Sequence, residues 1–255
     1  MYRNFIFDLY GTLVDIRTDE EAKSLWKFLA GFLARQGAEY HPAELRSTWK
    51  RLCAEETEKK REETGSPWPE PDIADVFRRI YEEAPVRHPA ERTVDAKTVA
   101  LTADVFRTLS IRRLRLFAHT EEVLRQLKKN GAGIYLLSNA QHLFTIPEME
   151  MLGILPLFDA VYISSDKGIK KPDPEFMRML LRGENLRAEE SIMIGNELDS
   201  DMACAVRTGV RGLFLNTGGA PLSEVRAWED KMRGEGLSPE IQLAMSGDIR
   251  VLLKQ

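Results

Sequence analysis

FIFDLYGTLVD, residues 5–15, decides how the rest of the chain is read. Phe5, Ile6 and Phe7 run straight into an acid, Asp8, so residues 3–9 are expected to form a short buried strand that delivers a carboxylate at its C-terminal end. Gly11 and Thr12 follow as a turn, then a second apolar pair and a second acid, Asp15. In open α/β sheets, ligands bind outside the carboxyl ends of the strands. Two residues beyond Asp8, where a second carboxylate would be useful, the chain has Tyr10.

After this stretch the pattern turns helical. Thr18 or Asp19 is placed to cap a helix whose apolar face is Leu25, Phe28, Leu29, Phe32 and Leu33. A charged helix is expected over residues 41–60, then the proline-rich loop GSPWPEPD at 65–72. Ile73, Val76, Phe77, Ile80 and Tyr81 give another helical stripe, and residues 99–109 one more. Residues 16–112 thus read as helices without a convincing strand. Beyond them strands and helices alternate: strands at 133–138, 159–165, 191–195 and 212–215, and helices between them. The helix after His119 starts with Thr120 as its cap, and Pro174 opens another. Such alternation means a parallel sheet with helices on both faces. The expected fold is α/β, a Rossmann-like core of residues 1–15 and 113–255 interrupted by a helical cap, residues 16–112.

The 255 residues, 43% hydrophobic and 30% charged, are enough for a sizeable core without covalent staples. The net charge of -4 argues against a general nucleic-acid binder. No apolar run reaches the roughly 20 residues of a membrane span. The N-terminus reads as a strand of the fold, not a signal peptide. Cys53 and Cys204 stand far apart, so a disulfide framework is not expected and the cytoplasm is the expected compartment; Cys204 reads as a buried small hydrophobe. His41, His88, His119 and His142 show no metal-ligand spacing, and His142 reads as surface or packing rather than site.

The strand ends carry the chemistry. The first offers Asp8, Tyr10, Gly11 and Thr12. The second offers Ser138 and Asn139. The third leads to Lys170 and Lys171, and the fourth to Asn196, Glu197, Asp199 and Asp201. A nucleophile, small donors, a cation and an acidic cluster suit work on a small anionic substrate, with a hard cation held by oxygen ligands. DLYGT, LLSNA, IKKPDP and IGNELDSD, in this order and each after an expected strand, resemble the four motifs of the haloacid dehalogenase-like hydrolases, in the subgroup with a helical cap inserted after the first motif. The resemblance covers nearly the whole chain. It implies that Asp8 is a nucleophile forming a covalent aspartyl intermediate. It implies that Thr12 and Ser138 bond the substrate anion or the nucleophile, and that Lys171 holds positive charge beside it, with Lys170 turned to solvent. Tyr10, Gly11 and Asn139 then fall at the substrate. Asp8, the Tyr10 carbonyl, Asn196, Glu197 and, indirectly, Asp201 become candidate ligands for Mg²⁺.

The chain departs from this pattern twice. Phosphatases of the family carry an aspartate at the Tyr10 position as general acid and base, whereas tyrosine has an unperturbed pKa of about 10. The family's haloacid dehalogenases have tyrosine there, a halide leaving group and no metal. The fourth motif has Asn196 where phosphatases have an aspartate, yet its acids fit a phosphatase better than a dehalogenase. Three readings follow: a Mg²⁺-dependent phosphatase of a small phosphorylated metabolite, a metal-independent 2-haloacid dehalogenase, and a non-catalytic anion-binding relative. The dehalogenase reading needs a cap arginine for the substrate carboxylate, with Arg17, Arg35, Arg46 and Arg51 as candidates. Trp26, Trp49 and Trp68 are expected in the cap core or at its interface, the run at 57–65 as a solvated helix face with opposite charges four apart, and Asp15 in a structural role. A monomer or weak dimer is expected.

Overall fold

A computed structural model describes residues 2–87 and 94–254; His88 lies outside the described residues. Along the chain come β1 (Asn4–Phe7), β2 (Val14–Thr18), α1 (Lys23–Arg35), β3 (Ala38–Glu39), α2 (Pro42–Thr64), α3 (Ile73–Glu82), β4 (Val86–Arg87), α4 (Ala96–Ser110) and β5 (Ile111–Leu116). There follow α5 (Thr120–Lys129), β6 (Gly133–Ser138), α6 (His142–Met151), β7 (Ala160–Ile163), α7 (Ser164–Lys167), α8 (Pro174–Gly183), β8 (Ser191–Gly195), α9 (Ala203–Thr208), β9 (Arg211–Leu215), α10 (Leu222–Gly234) and β10 (Ile241–Ala244).

Six strands form a parallel sheet in the order β10-β9-β8-β1-β6-β7. From β1 the chain builds outward through β6 and β7, then crosses back to continue through β8, β9 and β10. The order therefore reverses beside β1, the kind of crevice in which doubly wound sheets bind ligands. Phe7 stands level with Leu136 on one side and Ile194 on the other, so Asp8 leaves the sheet between the ends of β6 and β8. Because side chains alternate across a strand, Phe5 and Phe7 enter the apolar layer under α5, while Ile6 joins the opposite layer with Phe176, Met202 and Trp228.

The helices α1 to α4 enclose a separate apolar core. Trp26, Trp49, Phe77 and Phe106 stack and tilt against one another at centroid distances of 4.6 to 6.1 Å. Phe144 of α6 stacks on Phe106 at 6.1 Å and joins this core to the sheet unit. The proline loop also crosses over: Pro69 bridges Ile169, and Lys170 N–H donates to the Trp68 carbonyl at 3.0 Å. Among the described residues, no helix is long and apolar enough to cross a membrane.

Several sequence expectations need correction. The insertion is not free of strands: β2 pairs antiparallel with β5, and β3 with β4, so a two-stranded ribbon carries the chain into and out of the helices. This ribbon takes Thr18, and Asp19 N–H bonds Ser110 O, so neither residue caps α1. Phe28 is exposed, and Trp26 takes its place in the core. Thr120 is inside α5, with its hydroxyl on the Leu13 carbonyl and the left-handed His119 before it. β7 stops at Ile163 because the Ser164 and Ser165 hydroxyls take up the Ala140 and His142 N–H groups. In the charged run, pairs such as Lys60–Glu63 lie three residues apart rather than four. Sequence periodicity did not separate α6, α10 or β10 from their loops. Asp15, by contrast, pairs with Arg113 and Arg115 across the ribbon, and Cys204 is buried.

Candidate active site

Asp8 is 7% exposed and held on both carboxylate oxygens. Lys171 Nζ lies 2.8 Å from Oδ1, and Thr12 Oγ1 lies 3.1 Å from Oδ2. The Lys171 ammonium is itself buried and uses all three protons, on Asp8, on Asp201 Oδ1 at 2.7 Å and on the Leu137 carbonyl at 2.7 Å. Burial works against its charge, but Asp201 and Asp8 outweigh burial and hold it above the usual lysine range. Asp201 is pushed well above the usual carboxylate range, first by burial and then by the Asp8 charge, with Lys171 opposing. One ammonium between two carboxylates leaves one negative charge in excess at the end of β1.

Two glycines make the approach possible. Gly11 is left-handed, with φ of 85°, and a Cβ there would stand 2.5 Å from Asn196 Nδ2. A Cβ on Gly195 would collide with the Asp201 carboxylate. With both hydrogens in place, Asn196 Oδ1 comes within 3.0 Å of Thr12 Oγ1. The single Thr12 proton thus faces two oxygen acceptors, Asp8 Oδ2 and Asn196 Oδ1. Thr217, just past β9, donates to the Gly11 carbonyl and fastens the turn.

Ser138 ends β6, fully buried, and its hydroxyl has no hydrogen-bond partner among the described residues. An unsatisfied buried hydroxyl costs about 1–3 kcal/mol, so it calls for an explanation. Asn139 departs from its expected role. Its amide oxygen accepts from Lys171 N–H at 2.9 Å, and its Nδ2 donates to the Lys171 carbonyl and to Ser200. The side chain positions Lys171 and leaves little for a substrate. Lys170 is not loose in solvent, since it pairs with Glu70 of the proline loop at 3.1 Å.

The fourth motif divides. Asp201 Oδ2 accepts from Glu197 N–H at 2.9 Å while its Oδ1 holds Lys171, so this residue supports the cation. Glu197 is exposed, and Asp199 pairs with Lys231 on the surface. No three His, Cys, Asp or Glu side chains gather as a metal group among the described residues. The candidate oxygen set narrows to Asp8, Asn196 and the Tyr10 carbonyl, without Glu197. The physical reason is that Glu197 stands before the turn at Leu198–Met202 with its side chain exposed, while Asp201 within the turn is drawn in by Lys171.

Tyr10 donates its hydroxyl to Glu148 Oε2 at 2.5 Å, with Thr145 Oγ1 at 3.3 Å. Burial, then the Glu148 charge, raises it beyond the usual tyrosine range, so it is a poor acid and a poor base alike. Glu148 in turn takes Arg107 Nε at 2.5 Å, and the guanidinium lies over the Phe144 ring at 4.8 Å. Neither Arg107 nor Glu148 carries a sequence signal: one is an arginine among several near the end of α4, the other an acid inside α6. The four arginines considered from sequence lie elsewhere, Arg46 on Glu21, Arg51 on Glu55 and Glu83, and Arg17 and Arg35 exposed. His142 pairs with Asp166 at the surface.

A cavity of about 300 Å³ opens beside this network, between the helical unit and the sheet. Tyr10, Asn139, Gln141 and Phe144 line it from the sheet side, Glu20 and Arg107 from the other.

The profile of the haloacid dehalogenase-like hydrolase family matches residues 2–209. The phosphoglycolate phosphatase of Yersinia pseudotuberculosis is 30% identical over 205 residues, 79% of this chain and 75% of that enzyme. The glyceraldehyde 3-phosphate phosphatase of Methanocaldococcus jannaschii is 28% identical over 116 residues, 46% of this chain; the matched stretch spans about half of that enzyme, 51%. In architecture the chain is similar to the 2-haloacid dehalogenase of Pseudomonas syringae pv. Tomato, at a TM-score of 0.60 and 20% identity over 91% of this chain and 99% of that one.

Proposed function

The chain belongs to the haloacid dehalogenase-like hydrolases, and on that premise we propose that it is a phosphatase of a small phosphorylated metabolite with Asp8 as its nucleophile. Residues 1–15 and 113–255 act as the catalytic core and 16–112 as a cap over the strand ends. In this reading Asp8 attacks phosphorus, an Asp8–phosphoryl bond forms as the bond to the leaving oxygen breaks, and water then releases phosphate. The observation that carries the reading is the buried Ser138 hydroxyl, which has no partner among the described residues, at the strand end next to the Asp8–Lys171 pair. A transferring phosphoryl oxygen is the acceptor that this donor lacks, and preorganised donors of this kind stabilise charge best where water is excluded. Lys171 offsets the repulsion between nucleophile and substrate and keeps Asp8 aligned.

The donor set fits Mg²⁺, which is commonly held by one or two carboxylates with several waters. Asp8, Asn196 Oδ1 and the Tyr10 carbonyl would hold it, with Asp201 acting only through Lys171. Bound there, the ion would add positive charge against the transferring oxygens.

Dehalogenation is less well supported. Tyr10 has a partner in Glu148 that explains it without a halide. Arg107, the arginine lining the cavity, is already neutralised by Glu148, which leaves a substrate carboxylate there without a free arginine among the described residues. A monomer or weak dimer in the cytoplasm, acting on no nucleic acid, completes the proposal.

The test is hydrolysis of acetyl phosphate and p-nitrophenyl phosphate with Mg²⁺ and with EDTA, by the wild type and by Asp8→Asn. Metal-dependent turnover that falls on the order of a thousandfold in Asp8→Asn is expected. Turnover that survives the substitution would remove Asp8 as nucleophile, and chloride release from 2-chloropropionate would move the enzyme to the other reaction.

A further inference from the structure

The site described so far lacks an acid for the leaving group. Tyr10 occupies the usual place and is locked on Glu148. Asn139 is tied to Lys171, Asp201 to Lys171 and the chain, and Glu70 to Lys170 and Gln141. One carboxyl at the cavity is left. Glu20 lines it together with Tyr10 and Asn139, and among the described residues its carboxylate makes no hydrogen bond or ion pair. Its backbone is nonetheless fixed. The indole of Trp26, itself in the aromatic core, donates to the Glu20 carbonyl at 2.8 Å, and the preceding Asp19 N–H holds Ser110 O at 2.8 Å. The residue follows directly on the ribbon that joins the helical unit to the sheet.

We propose that Glu20 performs the proton transfer that Tyr10 cannot, giving a proton to the leaving oxygen and taking one back from the attacking water. The inference rests on the phosphatase reading. In the first half-reaction the phosphorus–oxygen bond of the ester breaks, the leaving oxygen takes the Glu20 proton, and an aspartyl phosphate and a Glu20 carboxylate remain. In the second, water attacks phosphorus, its proton returns to Glu20, and phosphate and the Asp8 carboxylate are released. Atoms and charge balance with water as the one co-reactant.

The electrostatic setting agrees. Glu20 is exposed as a residue, but desolvation by the cavity wall raises its carboxyl above the usual range, and Arg107, on the same side of the cavity, opposes that rise. Cys53 of α2 faces it as well: burial, with the Glu20 charge adding, raises that thiol to about 12 and keeps it neutral. Tyr10 and Glu70 complete the groups around the cavity, the first neutral and the second paired. General acid catalysis works best when the pKa lies near the working pH, and it contributes typically about 10²–10⁴-fold.

The deciding experiment compares wild type with Glu20→Gln on three substrates: acetyl phosphate, p-nitrophenyl phosphate and phenyl phosphate. Their leaving groups need a proton increasingly in that order. If Glu20 is the acid, kcat/KM, which reports the first half-reaction alone, stays within about threefold for acetyl phosphate and falls on the order of a hundredfold for phenyl phosphate, its dependence on leaving-group basicity steepens, and kcat falls wherever the second half-reaction limits the rate. The pH limb that follows the acid should vanish with it, and Glu20→Asp should recover part of the loss. An equal fall in kcat/KM on all three substrates makes Glu20 a structural residue, and no fall in kcat/KM or kcat on any of them removes it from the site. A wild type that hydrolyses acetyl phosphate but not phenyl phosphate has no such acid, which also overturns the inference. If the wild type hydrolyses none of the three, the phosphatase reading itself fails. Folding is not the concern at this position, since the carboxyl of this exposed residue has no partner among the described residues whose loss would destabilise the chain.

Discussion

Tyr10 and Glu148 share a hydrogen bond of 2.5 Å, so the side chain two places beyond the nucleophile faces α6 instead of a leaving group. The bond explains a residue that looked like a missing acid. Glu148 is buried, and its charge is met by Arg107 on one side and the Tyr10 hydroxyl on the other. Tyr10→Phe removes one of these donors. A loss of about 1–3 kcal/mol in stability is expected, with kcat/KM for acetyl phosphate within about threefold of wild type. Because the raised hydroxyl does not titrate in the working range, the pH profile should keep its shape. Urea unfolding and a pH–rate profile check both. A collapse of activity with stability intact would return Tyr10 to the chemistry.

Gly11 is the second place where local conformation and chemistry meet. Gly11→Ala puts a methyl group at φ of 85° and 2.5 Å from Asn196 Nδ2. The left-handed backbone costs about 1–2 kcal/mol. The displaced Asn196 would lose its approach to Thr12 and, in the proposed function, its place beside the metal. A fall in kcat/KM of roughly tenfold to a hundredfold is expected, with more Mg²⁺ needed for half-maximal rate. An unchanged Mg²⁺ requirement would take Asn196 out of the ligand set.

The Arg107–Glu148 pair joins the helical unit to the sheet unit with both partners largely buried, at 14% and 6% side-chain exposure. Breaking a buried pair from one side leaves an uncompensated charge and costs about 3–5 kcal/mol. Arg107→Ala should therefore be strongly destabilised. The double change Arg107→Ala with Glu148→Gln should recover much of the loss, because no buried charge remains. Urea midpoints across the four proteins measure the coupling. Additive losses would mean that the two side chains do not depend on one another.

What could be read in the sequence, and what could not, follows from range. The strand ends at Asp8, Ser138 and Gly195 are visible because apolar runs of strand length stop at polar residues, and that is local information. The stripe Ile73, Val76, Phe77, Ile80, Tyr81 is likewise local, and all five residues are buried. Arg107 and Glu148 are 41 residues apart, and no local pattern marks either. The same holds for β2 and β5, whose pairing joins residues about a hundred apart. Glu197 and Asp201 show the limit in another way. Their spacing is local, but which carboxylate turns inward depends on Lys171, 30 residues away from Asp201.

Lys171 gives the most demanding prediction, because its sign can be worked out. Its ammonium sits above the usual range when folded, against roughly 10.4 unfolded. The stability it contributes is present in full below the unfolded value and is lost as the pH rises through the folded one. Wild type should therefore weaken on the alkaline side, from about pH 10.4 upward. Lys171→Met leaves Asp8 and Asp201 facing one another without a cation, at a cost of about 3–5 kcal/mol near neutrality. For these carboxyls the sign is opposite. Asp201 already sits above its unfolded range, and loss of the lysine raises it further, so the folded variant binds a proton more tightly than the unfolded chain does. The variant should regain stability as the pH falls from neutrality toward the unfolded carboxyl value, about 3.9. Urea midpoints at successive pH values give the difference directly. A deficit that shrinks toward acid pH places both carboxylates on the one ammonium in solution, and a deficit independent of pH would mean that the substitution costs packing alone.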